Sequence, residues 1–261
     1  MNEFEQSVNS ALMNLGDHAI GTPDRIFVSG LPFCLRKAVF LRVFHMNIEA
    51  NVNMARGTMY HLIIPNIIDR IGKGSKGYNF PEIQYEVECS GQYDGFKIVG
   101  HCDVALGRGK EEMFAADMVE EWKFSRMSLR GGDDLPSYYM SQVNMYAYLM
   151  KAPLWRLVIV HPDKLTVTMF DGNVGAQAAD IMADRAETVH KVFTQKDHPI
   201  HLLGGTYDAI IKGAHEPYLR PLLDEIVYKL PEGPEYSFEC KSRSGKCPFL
   251  NICHGKNALK S

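Results

Sequence analysis

Between residues 80 and 125 the apolar positions of this chain follow the period of extended backbone. EIQYEVEC (82–89) alternates, GFKIVGHCDVAL (95–106) is almost continuously apolar, and Tyr93-Asp94-Gly95 between them is a turn signal, so the two runs predict a β-hairpin. ADMVEEWKF (116–124) predicts a third strand. Upstream the period is helical: LPFCLRKAVFLRVFHM (31–46) puts Phe33, Lys37, Phe40 and Phe44 near one stripe, and 51–71 continues as a second helix that Pro65 should kink. Downstream, Gly131 to Asp134 read as a loop and 136–151 as a helix opened by Pro136. WRLVIV and KLTVTMF, joined by His161-Pro162-Asp163, predict a second hairpin, and 174–195 a long helix. From 197 to 239 the chain is punctuated by Pro and Gly and carries no motif. The class is mixed α/β, a central sheet flanked by helices.

Composition narrows the partners. At 261 residues, 46% hydrophobic and 23% charged, with no repeat, low-complexity stretch or linker, residues 1–261 read as a single integrated unit. No apolar run approaches the ~20 residues of a membrane span. The start, MNEFEQSVNS, lacks the apolar core of an export signal, so the expectation is a cytoplasmic protein without membrane contact. A net charge of -3 argues against coating nucleic acid by global charge. Local charge differs: Arg36, Lys37 and Arg42 lie near Cys34, and Lys241, Arg243, Lys246, Lys256 and Lys260 follow Cys240 with no Asp or Glu among them. A basic tail is also an ordinary solubilising device.

Cysteine use points to a metal. Of 6 cysteines, Cys89 and Cys102 sit in strand-like apolar runs, where a thiol acts as a small hydrophobe. Cys34, Cys240, Cys247 and Cys253 remain, one near the start and three near the end. Without an oxidising compartment a disulfide framework is not expected, and four thiolates suit either structural zinc or an iron-sulfur cluster.

The densest chemistry lies in GHCDVAL and VEEWKF. Residues i and i+2 of a strand share a face, so Glu121 and Lys123 stand side by side while Trp122 points the other way. With Asp103 on the neighbouring strand, two carboxylates and the Trp122 carbonyl make an oxygen set for a hard divalent cation, Mg2+ or Mn2+. Lys123 would orient the attacking water or neutralise charge on a phosphate. Glu120 is the rival carboxylate, and parity favours Glu121. By itself Glu-x-Lys is also an ordinary ion pair.

Asp103 followed by Glu121-Trp122-Lys123 resembles the Asp…Glu-x-Lys core of the PD-(D/E)XK nuclease superfamily. Gly57-Thr58-Met59-Tyr60-His61 is similar to the Gly-x-x-x-His of its RecB-like branch, and Gln142-Val143-Asn144-Met145-Tyr146 to the Gln-x-x-x-Tyr of the same branch. One cysteine before this core, in CLRKAVF, and three after it resemble the iron-sulfur subset: CRISPR-associated Cas-four nucleases, the AddB helicase-nuclease and related viral or phage exonucleases. The resemblance implies a restriction-endonuclease-like fold with a nuclease core over 80–196, and helical and cluster segments over 20–72 and 197–261. It implies that His61, Asp103, Glu121 and the Trp122 carbonyl hold the metal, and that Asp103, Glu121 and Lys123 carry catalysis. Gln142, Tyr146, Tyr138, Arg36 and Lys37 would meet DNA that is single-stranded or has free ends. Cys34, Cys240, Cys247 and Cys253 would hold a [4Fe-4S] cluster joining the two terminal segments. CRISPR adaptation or viral recombination and end-processing are the settings implied, with integration or recombination proteins as partners. One departure is the six-residue gap between Cys240 and Cys247, where relatives have two. A non-catalytic DNA-binding adaptor of the same fold and a zinc-stapled regulatory protein are the alternatives.

Overall fold

The computed structural model describes residues 24–32, 34–35, 38–39, 52–71, 80–109, 114–125 and 137–194. Most of the helix expected over 31–46, the loop at 131–134, and Arg36, Lys37, Cys240, Cys247 and Cys253 lie outside them. The elements are β1 (Arg25–Phe27), α1 (Val52–Ile71), β2 (Glu82–Tyr93), β3 (Phe96–Arg108), β4 (Ala115–Phe124), α2 (Ser137–Leu149), β5 (Leu154–His161), β6 (Thr166–Asn173) and α3 (Ala176–Thr194). The strand order is β1-β3-β4-β5-β6, with β2 also paired to β3. The sheet is mixed: β3 and β4 run antiparallel, β4 and β5 parallel across α2, β5 and β6 antiparallel. A central mixed sheet with flanking helices is therefore the observed class. Pro65 lies inside α1 and, having no N–H, removes the helical donor for the carbonyl of His61.

The chain forms two compact units, each discontinuous in sequence. In the first, which holds α1, most of β2 and β3, β4, α2, β5, β6 and the start of α3, strand parity sorts the side chains of β4 onto two faces. Met118 and Trp122 join Val104 and Leu106 of β3, Val158 and Val160 of β5, and Ile64 and Ile68 of α1 in one apolar cluster. Fully burying a side chain of this kind contributes ~1.5–3 kcal/mol, so this layer anchors α1 to the sheet. On the same face Glu120 is fully buried, and its charge is met by the Trp122 indole N–H at 3.1 Å and by Arg156 Nη1 at 3.2 Å. Arg156 forks onward to Asp171 at 2.7 and 3.0 Å, holding that carboxyl below its usual range. These three residues are cross-strand neighbours on β4, β5 and β6, so one ion chain ties three strands.

Two glycines are required by close approach. A Cβ at Gly107, beside the register shift of β3 against β4, would stand 2.0 Å from the Ala115 carbonyl oxygen, and one at Gly172 would stand 2.2 Å from the Trp155 ring. Helix α2 is buried along Gln142–Ala147. It is clipped to the residue preceding α3 by Asn144, whose amide donates to the Gly175 carbonyl at 3.1 Å and accepts from the Gly175 N–H at 2.8 Å.

The second unit contains β1, a 3-10 turn at Val28–Gly30, the hairpin tip from Gln92 to Ile98, and α3 from Ile181 onward. The hairpin falls where the turn signal placed it, with Gly95 at a φ of +77°. Strand β1 was not expected; its three residues are too few to carry a period. It is fixed by the Lys97 N–H donating to the Asp24 carbonyl at 2.7 Å. Tyr93 stacks on Phe96 and Phe96 on His190, with centroids 5.4 and 4.8 Å apart, and Arg185 donates to the Leu31 carbonyl at 2.6 Å. Cys34 is buried here as a free thiol. Among the described residues no helix is long and apolar enough to cross a membrane.

Candidate metal centre

The centre forms where β3 and β4 part, within the first unit. Their ladder runs from Arg108↔Ala115 to Val104↔Glu120, and just beyond it the Trp122 N–H donates to Asp103 Oδ2 at 2.6 Å. A side-chain carboxylate thus takes the place of a main-chain acceptor at the fork. The other oxygen, Oδ1, lies 2.7 Å from His61 Nδ1, carried by α1. Parity places Glu121 and Lys123 on the face opposite Glu120, as the sequence pattern requires, with Lys123 Nζ 2.5 Å from Glu121 Oε1. From α2, Gln142 Nε2 donates to the same oxygen at 2.9 Å and lies 2.8 Å from the Tyr146 hydroxyl.

Each buried carboxylate therefore has one oxygen anchored by the fold and one directed elsewhere. Asp103 and Glu121 are only 4% and 2% exposed. Among the described residues Glu121 Oε2 is buried with no hydrogen-bond partner, although its sister oxygen has two. An orphan carboxylate oxygen in such a place costs on the order of several kcal/mol unless a cation or proton meets it. Electrostatics agree with the geometry. Burial and then the charge of Asp103 push Glu121 up to about 8, in spite of Lys123 and His61. Burial alone would depress the His61 imidazole, but the Asp103 carboxylate at 2.7 Å, the Glu86 carboxylate at 3.7 Å and the charge of Glu121 outweigh it and lift the group to about 10. For Lys123, too, burial is outweighed by Glu121 and Asp103, and its pKa is raised. Without a cation the site thus retains protons, the response of carboxylates crowded in low dielectric.

The donor set fits a divalent cation. His61, Glu86 and Asp103 bring ligand atoms within 4.8 Å of one another. Ligands at about 2.1 Å from an octahedral ion lie about 3.0 Å apart in cis and about 4.2 Å in trans. The observed separations of His61 Nδ1 from Asp103 Oδ1 and from Glu86, 2.7 and 3.7 Å, need little adjustment to match.

Of the residues expected at the site, His61, Asp103, Glu121, Lys123, Gln142 and Tyr146 are brought together. Gln142 and Tyr146 are buried, Gln142 against the Glu121 carboxylate and Tyr146 against Gln142. Tyr138 is half-buried, its ring edge-on to Tyr139 with centroids 4.3 Å apart, and Lys123 Nζ lies 5.4 Å from the Tyr139 centroid, a cation-π distance. His101 stands 3.8 Å from Glu88. Cys89 and Cys102 are buried in β2 and β3; burial pushes the Cys89 thiol up to about 12 and raises Cys102 as well, as for inert apolar thiols. Glu86 was missed: as one of three glutamates between 82 and 88 it had no distinguishing pattern, and its left-handed φ of +49° is invisible in sequence.

No protein-family model and no curated protein matches the chain. Among solved structures, its fold is similar to one described as SSO0001, with a TM-score of 0.52 and 20% identity over 76% of this chain and 89% of that one. A phage-related exonuclease from Haemophilus somnus 129PT aligns with a TM-score of 0.40 and 12% identity, over 60% of this chain and 78% of that one. An alkaline exonuclease, LHK-Exo, from Laribacter hongkongensis aligns at 0.45 and 11%, over 74% and 95%. At these identities the likeness to SSO0001 shows a shared fold.

Proposed function

We propose that this chain is a metal-dependent nuclease that hydrolyses DNA phosphodiesters, acting from single-stranded or frayed ends. The observation that carries the reading is the division of labour in the two buried carboxylates. The fold anchors Asp103 Oδ2 and Glu121 Oε1, leaving Asp103 Oδ1 to His61 and Glu121 Oε2 without a partner. An ordinary Glu-Lys ion pair would not need a second buried acid beside it, and burying one without a cation is costly. His61, Asp103 and Glu121, with the Trp122 carbonyl, would hold Mg2+ or Mn2+. A divalent cation bound there lowers the pKa of water and offsets charge on a phosphate oxygen.

The remaining steps belong to the chain. Lys123, 20% exposed at its side chain, is a cation of the site with access to solvent. It orients the attacking water and meets the charge that grows on the phosphate during in-line displacement. Gln142 donates to Glu121 and so fixes the rotamer of a ligand, the role of a second layer around a metal. Tyr146, fully buried and with its pKa raised well above normal by burial, remains a neutral phenol that holds Gln142.

The finer reading follows the sequence resemblance. Cys34, Cys240, Cys247 and Cys253 would hold a [4Fe-4S] cluster that staples the chain termini, and Arg36, Lys37 and Tyr138 would lie along the DNA path. CRISPR spacer acquisition or viral recombination supplies suitable ends. The test is digestion of end-labelled single- and double-stranded DNA with Mn2+, together with iron, sulfide and zinc analysis of anaerobically purified protein. Loss of label by wild type and not by Lys123→Ala supports the nuclease; zinc without sulfide, and no cutting, would replace it with a zinc-stapled regulatory protein.

A further inference from the structure

We infer that Glu86 is an additional metal ligand, outside the Asp…Glu-x-Lys and histidine motifs, and that it completes the charge of the centre. The inference rests on the metal centre of the nuclease reading and deepens it. Glu86 comes from β2, the strand on the far side of β3 from β4, and its carboxylate lies 3.7 Å from His61 Nδ1. Together with Asp103 it forms a three-residue group whose ligand atoms all fall within 4.8 Å. The independent sign of a cation site is Glu121 Oε2, buried and without a hydrogen-bond partner among the described residues, on a residue that feels the charges of both Asp103 and His61.

Charge gives the reason for a third carboxylate. Asp103 and Glu121 against Lys123 leave one uncompensated negative charge, which under-balances a divalent ion. Adding Glu86 leaves two, matching the ion when His61 is neutral. Affinity for hard cations follows the count of charged oxygen ligands, so the third acid should tighten binding directly. Glu86 is also cheap to keep ionised, since its side chain is 59% exposed. The imidazole adds a nitrogen ligand, which suits Mn2+ over Mg2+. An ion pair with His61 is the competing role, and it predicts no change in Mn2+ binding beyond what His61 itself imposes.

The experiment is Mn2+ titration of the anaerobically purified full chain, freed of divalent metal, followed by calorimetry and by the electron paramagnetic resonance of free Mn2+. Wild type is compared with Glu86→Gln, Glu86→Asp, Glu88→Gln and Asp103→Asn, and each is melted in EDTA to confirm folding. Glu86→Gln should weaken Mn2+ binding at least about 10-fold, with partial recovery in Glu86→Asp and none of this loss in Glu88→Gln. Wild-type affinity in Glu86→Gln, with binding lost in Asp103→Asn, would overturn the role of Glu86 and leave the nuclease reading standing. Absence of Mn2+ binding by wild type would overturn both.

Discussion

Metal binding to this centre should release protons, and the number can be worked out from the site. In the metal-free protein His61 holds its proton up to about 10 and Glu121 up to about 8. A ligand nitrogen and a ligand carboxylate must both shed those protons before they can bind a cation. Linkage makes the slope of log affinity against pH equal to the protons released. That slope should approach two below pH ~8, fall to about one between pH ~8 and ~10, and vanish above it. Raising the pH from about 7 to about 8 should therefore tighten Mn2+ binding by up to ~100-fold, or ~2.7 kcal/mol at 1.36 kcal/mol per unit. Calorimetry in two buffers of different ionisation enthalpy counts the protons directly. His61→Gln should lower the slope by about one. An affinity that stays flat from pH 6.5 to pH 8 would refute the reasoning, because it would mean that the cation displaces neither proton.

The same two groups set the stability of the metal-free protein, and with the same sign. His61, raised, contributes stability that is full below about 6.5 and lost as pH rises towards about 10; Glu121, a raised acid, loses its ordinary ionisation on folding, so stability also falls between about 4.5 and 8. In EDTA the Tm should drop from pH 6 to pH 9, and saturating Mn2+ should restore more of it at the higher pH. On the proposed metal centre, Lys123→Ala should keep Mn2+ binding within a few fold while cutting DNA hydrolysis by ~100-fold or more in single-turnover assays, since Lys123 donates to the proposed ligand Glu121 and is not itself one. Gly172→Ala should cost ~1–3 kcal/mol in urea unfolding, because its Cβ would meet the Trp155 ring at 2.2 Å. Arg156→Met takes the Arg156 guanidinium away from the fully buried Glu120 and should cost ~3–5 kcal/mol by the same measurement.

Much of this site was legible because strand parity and helical spacing are local rules. Glu121 and Lys123 share a face through the period of β4, Glu120 falls on the opposite one, and Gln142 meets Tyr146 one helical turn on. The pairing of α1 with Asp103 is long-range and came only from motif order, not from spacing. Glu86 escaped because its position depends on a left-handed backbone that no alternation pattern announces. The burial of Gln142 and Tyr146 escaped for a related reason: a polar stripe on a helix looks the same whether it meets solvent or a buried carboxylate, and only the packing of α2 on the sheet distinguishes the two. The short β1 offers too few residues for any period to emerge.

The most direct test of the central claim is digestion of end-labelled DNA by anaerobically purified wild type, Lys123→Ala and Asp103→Asn, with Mn2+ and with EDTA. Cutting by wild type that needs Mn2+ and is lost in both variants is the predicted result. Equal cutting by all three would place the active site elsewhere, and no cutting by any of them, with Mn2+ binding intact, would leave a DNA-binding adaptor that retains the fold and the metal centre.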